Sequence, residues 1–213
     1  MAQRRNIKRI IGGFGFFLLG GTTAAALSMS RPVQPTAAAV AVHSPSAPAS
    51  RIVLSQASVE QALAQGLIDR PIESILNVPA RMRYGDFRWD ETGVPVGPTW
   101  VRVDLSSQLL SVFRGGHEIG TAVILYGASS VPTPTGKFPI LAKLKDHRSA
   151  TYDAPMPYTL RLTADGVSIH ASNVRWGYAT HGCIGVPAAF AAKLFDAVKL
   201  GDEVQVVGGD SSA

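Results

Sequence analysis

From Thr99 the chain alternates apolar and polar residues, and this constrains its fold more than any other feature. TWVRVDL (99–105) keeps a period of two, SSQ (106–108) reads as a turn, QLLSVFR (108–114) as a second strand, GG (115–116) as a turn, and HEIGTAVILYG (117–127) as a longer strand. Successive strand side chains point to opposite faces, so this pattern is that of half-buried strands joined in a meander. ASSVPTPTG (128–136) is a loop with Pro132 and Pro134, and KFPILAKL (137–144) a further strand. KDHRSATYDAPMP (145–157) is long, polar and proline-bearing, the composition of a loop that can serve as a lid. YTLRLT and GVSIH are short strands, and EVQVV closes the region as another. Between them PAAFAAKLFDAVK places Ala191, Leu194, Phe195 and Val198 on one helical face, with Pro187 expected at the first helical position and Gly201 just past the end. The fold class expected over 99–208 is mainly β with one helix.

The chain upstream divides by composition. Residues 51–98 read as an N-terminal extension packed on the main domain. In it SQASVEQALAQGL predicts a helix capped by Ser58, with Gln61 at capping-box spacing and Gly66 as the stop. Pro71 opens a second short turn, PIESIL, and 77–98 is punctuated by Pro and Gly. Residues 28–50 are rich in Pro, Ala and Ser without a period, a semi-extended linker. Residues 1–27 begin with MAQRRNIKR and continue without a charge from Ile10 to Leu27, past Ala24-Ala25-Ala26. Positive, apolar, then small is the layout of a secretory signal, and the apolar run is also near the lower limit of a membrane anchor. Either way the folded part is expected outside the cytoplasmic membrane, in the cell envelope. The formal charge of +5 comes from this end: Arg4, Arg5, Lys8, Arg9 and Arg31 stand there without an acid, leaving a neutral remainder. A neutral body offers no basic face, so nucleic acid is excluded as an expected partner.

Export gives meaning to the single cysteine, Cys183. One thiol cannot close an internal disulfide, so it is a buried inert side chain, a partner in an intermolecular pairing, or a free reactive group. Its surroundings, GVSIHASNVRWGYATHGCIGVP (166–187), hold His170 at a strand end and Thr180-His181-Gly182-Cys183 after a loop. A nearby imidazole can take a thiol's proton, Gly182 allows close backbone approach, and the N–H groups of Gly182 and Cys183 can hold an oxyanion. Zinc held by His170, His181 and Cys183 is the competing reading of the same residues. Arg148, in the lid segment, is a candidate contact for an acidic substrate, and His43 and His117 read as solvated.

At these residues the chain resembles the L,D-transpeptidase family with its YkuD-type catalytic domain, bacterial enzymes that cross-link or modify peptidoglycan. The resemblance rests on a strand-borne His170, a loop and THGCIG (180–185), supported by the VDLSSQLLSVFRGG hairpins, PTPTGKFPI, and MPYTLRL before GVSIH. It does not cover 1–98. It implies a β-sandwich catalytic domain with a site under a mobile flap, for which 145–157 is the candidate. Cys183 resembles the acylated nucleophile and His170 its base. His181 and Gly182 resemble residues that shape the site, Thr180 fills the Ser/Thr position, and Tyr158 resembles an aromatic of the substrate groove. The implied reaction is acyl transfer from a peptidoglycan stem tetrapeptide to an amine, with no metal and no organic cofactor. Hydrolysis of stems by a carboxypeptidase or amidase, or a non-catalytic envelope binding module, are the alternatives. Three departures stand out: Gly185 where Arg or Asn is usual, Ala171 after the histidine, and a shorter loop between His170 and Cys183. Oligomeric state, acceptor identity and signal cleavage are left open at this level.

Overall fold

The computed structural model describes residues 50–208. The segments read as signal or anchor (1–27) and linker (28–50) lie outside these residues, apart from Ser50.

The meander forms as its alternation predicts. β4 (Thr99–Asp104), β5 (Leu109–Arg114) and β6 (His117–Val123) pair antiparallel in sequence. Their turns use left-handed backbone at Gln108 (φ 57°) and at Gly115 and Gly116 (φ 54° and 84°). β12 (Glu203–Val207) lies parallel beside β4, and β7 (Gly136–Pro139) runs antiparallel on β12. On the other side β6 takes β2 (Ser74–Leu76) near its start and β3 (Phe87–Trp89) near its end, and β1 (Arg51–Val53) edges β2. Residues 51–98 therefore contribute three strands to the main sheet. Arg51 fastens them: its guanidinium donates to the carbonyls of Glu118 and Asp90. The buried Glu118 carboxyl accepts from the Leu76 N–H at 2.8 Å and the Ser111 hydroxyl at 2.6 Å.

A second, four-stranded sheet carries β8 (Ala142–Leu144), β9 (Thr159–Arg161), β10 (Ser168–Ala171) and β11 (Ile184–Val186), in the order β11-β10-β9-β8. Its first two pairings from β8 are antiparallel, and β10 and β11 run parallel. The Leu125–Gly185 bridge ties it to the chain leaving β6. The apolar faces of both sheets meet α2 (Ala188–Ala197) around fully buried Val101, Val112, Ile119, Ile169, Ile184 and Phe190. Each such side chain contributes roughly 1.5–3 kcal/mol by leaving water. Phe190 meets Phe87 and Trp89 edge-to-face, and Gly120 makes room for them, since a Cβ there would stand 2.3 Å from the Trp89 ring.

The structure moves several local expectations. The first helix, α1 (Gln56–Ala64), is capped by Ser55 rather than Ser58, because the Ser55 hydroxyl accepts the Ser58 N–H; Gly66 at φ 67° follows its end. Pro187 is the cap of α2 and not its first helical residue: its ψ of 140° is extended. KFPILAKL divides into β7 and β8, which belong to different sheets, and PIESIL contains β2.

Candidate active site

The register of two short strands sets the site. Ile169 pairs with Ile184 and His170 with Gly185, so the residue before β11, Cys183, comes beside Ser168. The Ser168 N–H reaches the Cys183 sulfur, and the thiol finds the Gly166 carbonyl at 3.9 Å. Alternate strand residues face the same way. His170 therefore shares a face with Ser168, with Gly185 as its register partner on β11. Cys183, half-buried, and His170 both line one cavity of about 800 Å³.

The imidazole is oriented by a backbone bond. Its Nδ1 lies 2.8 Å from the Ala171 carbonyl oxygen. A carbonyl can only accept, so Nδ1 carries the proton and Nε2 keeps the lone pair. Burial pushes the His170 pKa below the ordinary imidazole value, against the Ala171 bond, and the charge of nearby His147 adds to the lowering. Burial pushes the Cys183 thiol up, with the Ser168 N–H opposing it. Near neutral pH the pair is accordingly a neutral thiol and a neutral base, not a standing thiolate–imidazolium pair.

The turn that presents Cys183 is gripped at successive carbonyls. The Thr180 hydroxyl donates to the Cys183 carbonyl, and the Thr133 hydroxyl donates to the Gly182 carbonyl at 2.9 Å while accepting the Gly127 N–H at 2.9 Å. Gly182 has φ 96°, a conformation that side chains disfavour.

Across the cavity, 145–157 is a hairpin and not an irregular loop. The N–H groups of Tyr158, Met156 and Ser149 donate to the carbonyls of Lys145, His147 and Ala154. At its tip Tyr152, 55% exposed, stacks on His181 with ring centroids 4.5 Å apart and planes at 22°. A third wall comes from the extension: Gly85 lines the cavity, and Tyr84 meets Trp176 edge-to-face while its hydroxyl donates to Gln108.

Of the residues singled out from sequence, Cys183, His170, His181 and Thr180 line the cavity together. Gly182 is buried in the turn beneath it. Tyr158 and Arg148 are not among the lining residues. Tyr158, with φ 57°, packs edge-to-face on Phe195, and Arg148 pairs with Asp153 at 2.5 Å on the exposed part of the hairpin. Thr133, Ser168 and Gly85 escaped the sequence reading, and Tyr152 was covered only as part of the polar lid segment. Thr133 alone had a signal, its place in PTPTGKFPI. Among the described residues no group of three or more His, Cys, Asp or Glu side chains is arranged to hold a metal.

Comparison with known proteins gives a consistent result. Residues 98–206 match the model of the L,D-transpeptidase catalytic domain, YkuD. L,D-transpeptidase 1 of Mycobacterium tuberculosis is 34% identical over 123 residues, covering 49% of this chain and 48% of that protein. The chain thus spans about half the length of the curated relative it matches. A crystal structure of an L,D-transpeptidase from Stackebrandtia nassauensis superposes with a TM-score of 0.51 at 27% identity, covering 55% of this chain and 58% of that one.

Proposed function

The chain belongs to the L,D-transpeptidase catalytic-domain family, and from that premise we propose that it is a peptidoglycan L,D-transpeptidase working by cysteine acyl transfer. The donor is a stem tetrapeptide. The Cys183 sulfur attacks the carbonyl that follows the L-centre of the diamino-acid residue, and His170 Nε2 takes the thiol proton as the S–C bond forms. The N–H groups of Gly182 and Cys183 hold the resulting oxyanion. Collapse of the tetrahedral intermediate breaks the bond to the terminal D-alanine, whose amine leaves with the proton from His170. An amine of a second stem then attacks the thioester, His170 again receives a proton, and the thiol is restored. His181 shapes the turn and meets the hairpin, and Thr180 holds the turn's backbone. Arg148 offers the substrate a charge from the exposed hairpin, outside the cavity wall, and Tyr158, packed on Phe195, supports the base of that hairpin.

The observation that most supports this reading is the pair itself: a half-buried thiol and an imidazole with its tautomer set by Ala171, lining one cavity. A neutral base lining the same cavity as a neutral thiol suits proton transfer in step with attack, which contributes about 10²- to 10⁴-fold in such reactions. The cavity also supports an enzyme over a binding module, since the thiol is open to a ligand. We place the protein in the cell envelope, delivered by residues 1–27 as a signal or an anchor. The test is incubation with purified disaccharide tetrapeptides followed by mass spectrometry. Cross-linked dimers that vanish in Cys183→Ala are expected. Trimmed stems without dimers would make the protein an L,D-carboxypeptidase, and unaltered stems would remove the catalytic reading.

A further inference from the structure

We propose that Thr133 is a positioning residue for the oxyanion site, acting through the Gly182–Cys183 peptide. This rests on the acyl-transfer reading above. The Thr133 side chain is buried, 5% exposed, and its hydroxyl is used in both directions. It accepts the Gly127 N–H and donates to the Gly182 carbonyl, each at 2.9 Å. The described chain has no cis peptide bonds. In a trans peptide the C=O and the following N–H lie in one plane and point in opposite directions. Fixing the Gly182 oxygen toward Thr133 therefore fixes the Cys183 N–H away from it.

That orientation has few other supports. Gly182 is the residue least able to restrict its own dihedrals, so the plane between it and Cys183 must be held from outside. The loop carrying Thr133 is packed tightly enough to do so. A Cβ at Gly127 would stand 2.2 Å from the Val131 carbonyl, so only glycine lets the 131–133 segment close on the chain that leaves β6. The isolated Gly127–Thr180 bridge joins the same segment to the start of the turn. The Thr180 hydroxyl holds the next carbonyl, that of Cys183, so the peptide planes on both sides of the nucleophile are each held by a threonine hydroxyl.

An oxyanion donor matters only when a carbonyl becomes tetrahedral, and alkylation of a thiol passes through no such state. The two reactions of Cys183 therefore separate positioning from general damage. The rate of acylation by a carbapenem, whose strained ring offers a carbonyl, is measured beside the rate of alkylation by iodoacetamide. Thr133→Val and Thr133→Ala remove the hydroxyl with and without filling its space, and Thr133→Ser keeps it. The expected result is a fall in acylation of about tenfold or more in Val or Ala, part of the roughly 10²- to 10³-fold that loss of a whole oxyanion donor costs. Alkylation should stay within about twofold of the parent and serine should restore acylation. Equal losses in both reactions, or acylation at the parent rate in Val and Ala, would overturn the role of Thr133. Either variant suffices if the other does not fold, and if neither folds while serine does, Thr133 is a structural residue and the proposal is overturned. A parent protein that is alkylated but not acylated would instead sink the acyl-transfer reading, and this proposal with it.

Discussion

The nucleophile wall of the cavity and the hairpin wall across from it are held by different kinds of interaction. On the nucleophile side, β10 and β11 are largely buried strands, and the turn between Thr180 and Cys183 is tied by one buried and one partly buried hydroxyl-to-carbonyl bond. On the opposite side, the hairpin over 145–157 carries its tip on one exposed ring stack and one exposed ion pair. Bonds shielded from water keep their strength, whereas exposed stacks and pairs compete with solvent. Under the proposed function, the contrast assigns chemistry to the more firmly held wall and recognition to the more lightly held one. It also orders the consequences of mutation: rigid-wall changes should alter rate or folding, hairpin changes should alter substrate binding by small factors.

The largest effect is expected at His170. His170→Ala should lower the acylation rate by about 10²- to 10⁴-fold, the range of a lost general base. The pH profile sharpens the point. Burial lowers the His170 pKa, so the neutral base persists below the ordinary imidazole value, and acylation should be lost only as pH falls through that lowered value. The raised Cys183 pKa means that the parent thiol should alkylate slowly near neutral pH, unlike a standing thiolate. Rapid alkylation at pH values of about 6 would break this account of the pair.

Gly185 is next. Its backbone is not in the left-handed region, so the obstacle to a side chain is space: a Cβ would stand 2.8 Å from the Ser172 Cβ and 3.1 Å from its hydroxyl. Gly185→Asn, the residue usual in the family at this position, should destabilise the fold by about 1–3 kcal/mol, as overpacking does. Adding Ser172→Gly should recover most of it. Denaturant melts of the single and double variants measure the coupling, and additive losses would show that Ser172 is not the neighbour that matters.

The same residues show why the sequence told some of this and not the rest. The meander was legible because β4 and β5 each have one face less buried than the other, and period two survives in their letters; β6, buried on both faces after His117, was legible as the apolar run that follows their turn. Cys183 and His170 were legible because the chain brings them within a short stretch and the residue types are scarce. β11 was not: IGV is buried throughout, so it has no alternation to read. The hairpin was read as a loop because its ladder is made by backbone groups behind polar side chains. Thr133 was hidden because its partner, Gly182, lies 49 residues away. The protonation state of the pair depends on burial, which neighbouring letters do not state.

Hairpin changes should be milder. Tyr152→Ala removes the ring that stacks on His181 and should raise KM for the stem donor by about two- to fivefold while kcat changes less, since an aromatic pair is worth about 0.5–1.5 kcal/mol at most. Hydrogen exchange over 145–157 should slow on acylation of the parent, and less so in the variant. A kcat loss larger than the KM change would move the hairpin into the rigid class and dissolve the contrast.

Arg148 should show the smallest effect. Its guanidinium already has a partner, Asp153, and both side chains stand mostly in water, 58% and 84% exposed. A charge that is half-satisfied and hydrated gains little from a stem carboxylate, because it must give up water and the first partner to do so. Arg148→Ala should therefore leave the melting temperature unaltered and change KM by less than about twofold at moderate salt. Asp153→Ala frees the guanidinium, and this variant makes the test sharp. If Arg148 serves the substrate, Asp153→Ala should lower KM at low ionic strength, and added salt should erase the gain. No change at any salt concentration would leave Arg148 as solvated surface and assign recognition on this wall to Tyr152 alone.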